Sequence, residues 1–190
     1  MTGIADIKVG ERVVGRGRDP YLIAEIAWGH EGQLDLALEL IRAAKRAGAH
    51  AVGLHMTDLP HYMTRDYRCL DGQTLSSTDR AAAAPPTIYG FLEKANLSPG
   101  AMDKVVRAAR DASLHLCVMC NDRPSFEWVR QFRPEMYAVA AAAFVELDFV
   151  QAVARENVPT VLRIGGATLG EIENVVNVFR RAGNHQAVLL

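Results

Sequence analysis

Six short apolar runs are spread along the chain, and each is apolar at nearly every position. Uninterrupted runs of this kind are typical of strands that are covered on both faces of a parallel sheet. The strands that they predict are Tyr21–Ala27, Ala51–Met56, Leu114–Met119, Met136–Ala142, Thr160–Ile164 and Gln186–Leu190.

The segments between these runs carry apolar residues at helical spacing, and two of them begin with capping signals. Ser98 precedes Pro99, which suits the first turn of a helix. Thr168 and Glu171 have the spacing of a capping box. A repeated Arg-Ala-Gly motif then predicts the end of a helix, because glycine accepts the left-handed conformation that often follows the last helical residue.

Strands and helices therefore alternate, which predicts an α/β fold with parallel strands. Two architectures fit six strands: an open doubly wound sheet, or most of an eight-stranded barrel. We expect one domain over residues 1–190, with residues 1–20 as an N-terminal cap segment. Residues 57–97 follow the second strand at its C-terminal end, where sites form in such folds, and we expect them to lie over the site as a long loop.

Composition narrows the classes of function. The chain has 190 residues, of which 49% are hydrophobic and 23% charged, and its formal net charge is -1. That balance argues against binding to nucleic acid or to an acidic membrane surface. No apolar run approaches the ~18 residues of a membrane-spanning helix, and the N-terminus lacks the features of a signal peptide. We therefore expect a cytoplasmic protein.

Three cysteines occur without the spacing of a disulfide framework, which fits a reducing compartment. Cys117 and Cys120 lie three positions apart at the end of one predicted strand, so their side chains should point to opposite faces. We predict packed, reduced thiols here and not a metal site.

Two sequence blocks and their motifs carry a resemblance to a known family. The first is YLIAEIAWGHEGQLDLALELIRAAKRAGAHAVGLH, which is similar to an E-I-x-x-N-H-x-G strand end, a helix ending in A-G-A and a V-K-F-Q strand. The second is VPTVLRIGGATLGEIENVVNVFRRAGNHQAVLL, which is similar to an S-T-G strand with its helix. Together they resemble the N-acetylneuraminate (sialic acid) synthase family, from about Tyr21 to Leu190.

The resemblance implies an aldolase-type (β/α) TIM barrel that is incomplete, with about six of its eight strands. It also implies a function in carbohydrate biosynthesis. Enzymes of this family are transferases that condense phosphoenolpyruvate with an N-acetylated amino sugar, use a divalent metal and work as homodimers.

The chain departs from the family pattern at positions that we expect to face the barrel interior. Gly53 and His55 stand where the family has the lysine and glutamine of V-K-F-Q, and Arg163 stands at the serine of S-T-G. Three alanines replace a second lysine, a serine and an acidic residue, and we expect them to point inward from one strand: Ala138, Ala141 and Ala143. A bound phosphate needs compensating charge or donors. Two interpretations therefore stay open: a phosphoenolpyruvate-dependent synthase, or a catalytically silent or repurposed barrel that binds a ligand or a subunit.

Glu25 and His30 are the predicted catalytic residues. Glu25 lies in an apolar strand, where burial would make it a general acid or base; the alternative is a structural pair with Arg163. His30 follows a strand end and would face the strand mouth; the alternative is that it orders its turn through backbone hydrogen bonds. With His55 these two residues would form a metal triad of two histidines and a carboxylate.

Six residues are predicted to bind a carbohydrate or a phosphoenolpyruvate-like ligand: His55, Arg163, Asn121, Asp122, His61 and Tyr62. His55 should point inward, and the guanidinium of Arg163 suits a phosphate or carboxylate. Asp122 has the alternative role of a helix cap. His61 and Tyr62, with Tyr67, lie in the long loop, where a solvated surface is the alternative.

The first and last predicted strands would leave unpaired edges, which proteins usually avoid. We therefore expect self-association, or a complementing chain that covers these edges.

Overall fold

A computed structural model describes residues 6–66 and 87–190. In this part of the chain, the strands are β1 (Ile7–Val9), β2 (Arg12–Val14), β3 (Ile23–Ala27), β4 (Ala51–Met56), β5 (His115–Cys120), β6 (Met136–Ala140), β7 (Thr160–Arg163) and β8 (Ala187–Leu189). The α-helices are α1 (Leu34–Arg46), α2 (Leu59–Tyr62), α3 (Ile88–Ala95), α4 (Pro99–Asp111), α5 (Arg123–Val129), α6 (Leu147–Arg155) and α7 (Leu169–Arg181).

The main sheet has six parallel strands in the order β3-β4-β5-β6-β7-β8, which is their order along the chain. A doubly wound sheet would reverse its strand order at a switch point, so that alternative is excluded. Strands that follow one another in order, with their helices on one face, are the units of a (β/α) barrel. The fold is therefore an incomplete barrel, as predicted.

Two hydrophobic layers hold the sheet. On its outer face the helices pack against every second strand residue, and this core includes Leu54, Leu116, Val139, Leu162, Ile41, Val105, Phe126, Val150 and Phe179. On the inner face Val9 packs with Cys117, Met119, Met136, Ala138 and Val161. Cys117 belongs to the inner layer and Cys120 to the outer layer, so the prediction that their side chains point to opposite faces is confirmed.

The N-terminal segment contributes a β-hairpin, β1 with β2, that the sequence did not predict. Its turn contains Gly10, with a φ of +56°. Val9 of this hairpin is 0% exposed, because it lies against the inner face of the sheet.

The predicted capping signals are confirmed. Ser98 accepts a hydrogen bond from the N–H of Ala101 at the start of α4. Thr168 and Glu171 form the capping box of α7. The glycines of the two Arg-Ala-Gly motifs have φ values of +78° and +75°, in the left-handed region where glycine is favoured.

One strand boundary is a correction. β6 ends at Ala140, and Ala141–Ala143 form a 3₁₀ turn. Ala143 is buried in the core between the outer face of the sheet and the helices, here called the helix-side core. The prediction that it points inward from the strand is therefore wrong. Alanine has little preference for strands and a strong preference for helical backbone, which accounts for the early turn.

The predicted long loop contains α2 at one end and α3 at the other. Residues 67–86, including Tyr67, lie outside the described residues. Among the helices that the structure describes, none is long and apolar enough to cross a bilayer.

The hairpin provides a stability test. Val9→Ala should lower the free energy of unfolding by about 2 kcal/mol, because it removes two buried methyl groups and leaves a cavity at the sheet. Urea denaturation measures the change. Val13→Ala, on the same hairpin at a position that is 45% exposed, is the matched control and should change it by less than about 0.5 kcal/mol. Equal effects of both substitutions would contradict the packing of Val9.

Candidate functional site

The inner wall of the sheet is built from alternate strand residues, because successive side chains on a strand point to opposite faces. The register places them in rows: Gly53 with Cys117; then His55 with Met119, Ala138 and Val161; then Ala140 with Arg163. His55 and Arg163 are the basic members of a wall that is otherwise small or apolar.

Glu25 brings a carboxylate to this wall from β3. Its Oε2 lies 3.5 Å from Nη1 of Arg163, and its Oε1 lies 3.8 Å from Nε2 of His55. Three predicted site residues, from three different strands, therefore meet at the carboxylate of Glu25. The contact of Glu25 with Arg163 is the pair that was predicted from sequence as the structural alternative for Glu25. The predicted burial of Glu25 is wrong: its side chain is 42% exposed, since β3 has one hydrogen-bonded neighbour in the described sheet.

Gly53 makes room for this carboxylate. A Cβ atom at position 53 would lie 2.6 Å from Oε1 of Glu25 and 2.7 Å from its carboxyl carbon, which is closer than van der Waals contact. Cys117 lies beside Gly53 on the next strand. Burial, and then the negative charge of Glu25, raise the pKa of the Cys117 thiol to about 12, so it stays protonated at neutral pH.

His55 points inward, as predicted. Its side chain is 11% exposed, and within the described residues neither ring nitrogen has a hydrogen-bond partner. The ring of Trp28 meets it edge-on, with centroids 4.6 Å apart. Burial, and then the positive charge of Arg163, lower the pKa of His55 to about 4. The neutral imidazole therefore makes no ion pair with Glu25, and it offers one donor and one acceptor to a ligand.

A cavity of about 560 Å³ opens at the C-terminal ends of the strands, which is the face where parallel barrels carry their chemistry. We call it the mouth cavity. Its lining comprises Trp28, His55, Tyr62, Met119, Asn121, Ala140, Ala141, Ala142, Arg163, Gly165 and Leu190. The volume lies within the range of small-molecule sites.

His30 does not line the mouth cavity. It is 2% exposed, and its Nδ1 accepts a hydrogen bond of 3.2 Å from the N–H of Gly32. Burial lowers the pKa of His30, and a hydrogen bond with the backbone of Ala27 partly opposes this. The ring lines a neighbouring cavity of about 550 Å³, which shares Trp28 and His55 with the mouth cavity. These contacts are those of a residue that orders its turn.

Asp122 is the N-cap of α5. Its Oδ1 accepts a hydrogen bond from the N–H of Ser125, and its Oδ2 accepts from the Ser125 hydroxyl and from the N–H of Asp58, each at 2.8 Å. Burial raises the pKa of Asp122, and these hydrogen bonds oppose the rise. Its neighbour Asn121 donates a hydrogen bond of 2.7 Å to Oγ1 of Thr57 and reaches the mouth cavity.

His61 and Tyr62 lie on the short helix α2. Nδ1 of His61 is 3.5 Å from Oδ1 of Asp58, and Tyr62 lines the mouth cavity. Both also line a smaller cavity of about 310 Å³ beside Asn121. A role for these two residues in ligand binding stays a prediction.

Among the residues that the structure describes, those at the mouth do not fit a metal centre. Within residues 6–66 and 87–190, no group of three or more His, Cys, Asp or Glu side chains is arranged to hold a metal ion. The predicted triad does not form, because His30 is held in its turn. A divalent cation near Glu25 would also meet the positive charge of Arg163.

Sequence reasoning missed Trp28, which forms part of the wall of the mouth cavity. Its indole Nε1 donates a hydrogen bond of 2.8 Å to Oδ1 of Asn96, and Nδ2 of Asn96 donates one of 3.1 Å to the carbonyl of Thr57. The available signal was its position, since an aromatic residue directly after a barrel strand lies at the mouth.

Comparisons with known proteins agree with the fold. Residues 40–190 match the NeuB family. The spore coat polysaccharide biosynthesis protein SpsE of Bacillus subtilis is 24% identical over 190 residues, covering 98% of this chain and 48% of the relative. A pseudaminic acid synthase of Campylobacter jejuni is 26% identical over 180 residues, covering 90% of this chain and 48% of the relative.

A solved structure shares the fold: the N-acetylneuraminic acid (sialic acid) synthetase of Leptospira borgpetersenii, in complex with citrate. It superposes with a TM-score of 0.78 at 18% identity, over 97% of this chain and 58% of that one. The chain spans about half the length of the curated relatives it matches. Because the family match extends over most of the sequence, the chain belongs to the NeuB family.

Proposed function

We propose that this chain works in the biosynthesis of sugar acids, by condensing phosphoenolpyruvate with an N-acetylated amino sugar at the mouth cavity. Membership of the NeuB family and the names of the relatives support the reaction class. The observation that carries the proposal is that the carboxylate of Glu25 lies beside both His55 and Arg163, two residues that line the mouth cavity.

Arg163 binds the carboxylate of the donor in this proposal, because a guanidinium presents a fork of N–H donors to two oxygens. Within the described residues neither nitrogen of the neutral His55 ring has a hydrogen-bond partner, so one can donate to a hydroxyl of the sugar and the other can accept from one. The indole of Trp28 lies beside it and excludes water from one side of the ligand.

In the condensation, the double bond of the donor breaks as its methylene carbon bonds to the carbonyl carbon of the sugar, whose oxygen takes up a proton from solvent and becomes a hydroxyl. Water adds to the adjacent donor carbon, and the bond from that carbon to the phosphate oxygen then breaks, so that phosphate leaves and a ketone forms. We assign Glu25 as the general base that accepts the proton of this water, since it is the carboxylate on the wall beside Arg163. His30 shapes the turn that carries Trp28, and we assign it no proton transfer.

A ligand-binding barrel without catalysis is the second candidate, and one observation favours it. In the described part of the inner wall, positions 53, 138 and 140 carry no charge. Arg163 is therefore the one side chain there whose positive charge could compensate a bound phosphate. A phosphate group with little compensating charge binds weakly.

A titration separates the two candidates. Phosphoenolpyruvate, with and without a divalent cation, should bind saturably, and Arg163→Ala should weaken binding about tenfold or more because a charge-assisted hydrogen bond is lost. Arg42→Ala removes an exposed arginine of α1 and should leave the affinity unchanged. Phosphate release on adding an N-acetylated hexosamine supports the synthase. Binding without phosphate release favours the silent barrel, and no binding at millimolar donor overturns the proposal.

The neutral state of His55 makes stability depend on pH. Its pKa of about 4 in the folded protein lies below the unfolded value of about 6.5, so as pH falls the unfolded chain binds the proton first. The stabilising contribution is complete above about pH 6.5 and is lost toward pH 4. We expect the free energy of unfolding to fall by about 2 kcal/mol between about pH 7.5 and about pH 5 from this residue.

Urea denaturation at both pH values measures the free energy of unfolding. In His55→Gln, the part of its pH dependence that comes from this histidine should be absent. An NMR titration in which the His55 ring protonates near pH 6.5 would contradict the assignment.

We also propose that the protein is cytoplasmic. We further propose that it associates with a second copy or with a complementing chain. In the described sheet, β3 and β8 each pair on one side only, and Leu189 and Leu190 are 49% and 73% exposed. Such edges favour pairing with another segment. Sedimentation should detect association at micromolar concentration, whereas a stable, well-folded monomer would contradict it.

A further inference from the structure

Arg163, the residue that we propose binds the donor carboxylate, already lies beside a carboxylate of the protein itself, that of Glu25. Oε2 of Glu25 lies 3.5 Å from Nη1 of Arg163. Both side chains are 42% exposed, so each can be reached and moved by a ligand. Arg163 is the one arginine or lysine that lines the mouth cavity in the described part of the chain. With neutral His55, the wall thus holds one positive and one negative charge.

We propose that Glu25 occupies the anion site in the resting protein, so that a ligand carboxylate binds Arg163 by exchange with it. This rests on the proposed function, which assigns Arg163 to the donor carboxylate. The exchange leaves the displaced Glu25 carboxylate next to the bound ligand, where its assigned role as a base begins.

Gly53 determines whether Glu25 can hold this position. The Cβ that a residue other than glycine would carry there lies 2.6 Å from Oε1 and 2.8 Å from Oε2 of Glu25. The atoms that must move are the far end of a flexible side chain, which shifts at little cost. One methyl group at position 53 therefore displaces the carboxylate without removing its charge.

Two substitutions test the exchange by different routes. Gly53→Ala pushes the Glu25 carboxylate away, and Glu25→Gln removes its charge. Both should tighten binding of phosphoenolpyruvate and of pyruvate about threefold to fivefold, the range expected for freeing one partner of a partly exposed ion pair. Glu39→Gln is the matched control: it removes a carboxylate that pairs with Arg42 on the outside of the barrel, and it should leave both affinities unchanged.

Binding is followed by NMR through the indole N–H of Trp28, whose ring lines the cavity. Placing Gly53→Ala in an Arg163→Ala background should abolish the gain. If wild-type binding depends on Arg163 but neither variant binds more tightly, the exchange is overturned and the proposed function stands. A gain in only one variant also overturns it. If none of these proteins binds either probe, both proposals fail.

Discussion

The contacts at the barrel mouth depend on the hydrogen-bonded register of the parallel strands. Glu25 lies opposite Gly53, and Ala140 lies opposite Arg163, because each strand is fixed against the next. A shift of one residue would turn every side chain of a strand to the other face. The helix-side core opposes such a shift, since it requires Leu54 and its neighbours to remain on the outer face. Packing far from the mouth therefore sets which charges meet there.

Much of the barrel can be predicted from the sequence because its signals are local. The strands are uninterrupted apolar runs, and the caps of α4 and α7 are contacts between residues three positions apart. The hairpin could not be predicted in this way. Its strands have three residues each, and Val9 is buried by residues such as Met136, which are distant in sequence.

The site was predictable in its residue types but less so in its geometry. Glu25, His55 and Arg163 are unusual residues in apolar strands, which is a signal that sequence carries. The exposure of Glu25 depends on how many strands lie beside β3, and the orientation of His30 depends on the turn that holds it. These are properties of the assembled sheet. The role of Gly53 cannot be predicted from sequence either, because it depends on the position of the Glu25 carboxylate in the folded protein.

The hydrogen bond between Trp28 and Asn96 has a mechanical consequence. Asn96 ends α3, and its side chain holds both the indole of Trp28 and the backbone of Thr57. The indole in turn contacts His55. The end of α3 is thus connected to His55 through the indole, so the position of this helix helps to fix the aromatic wall of the mouth cavity.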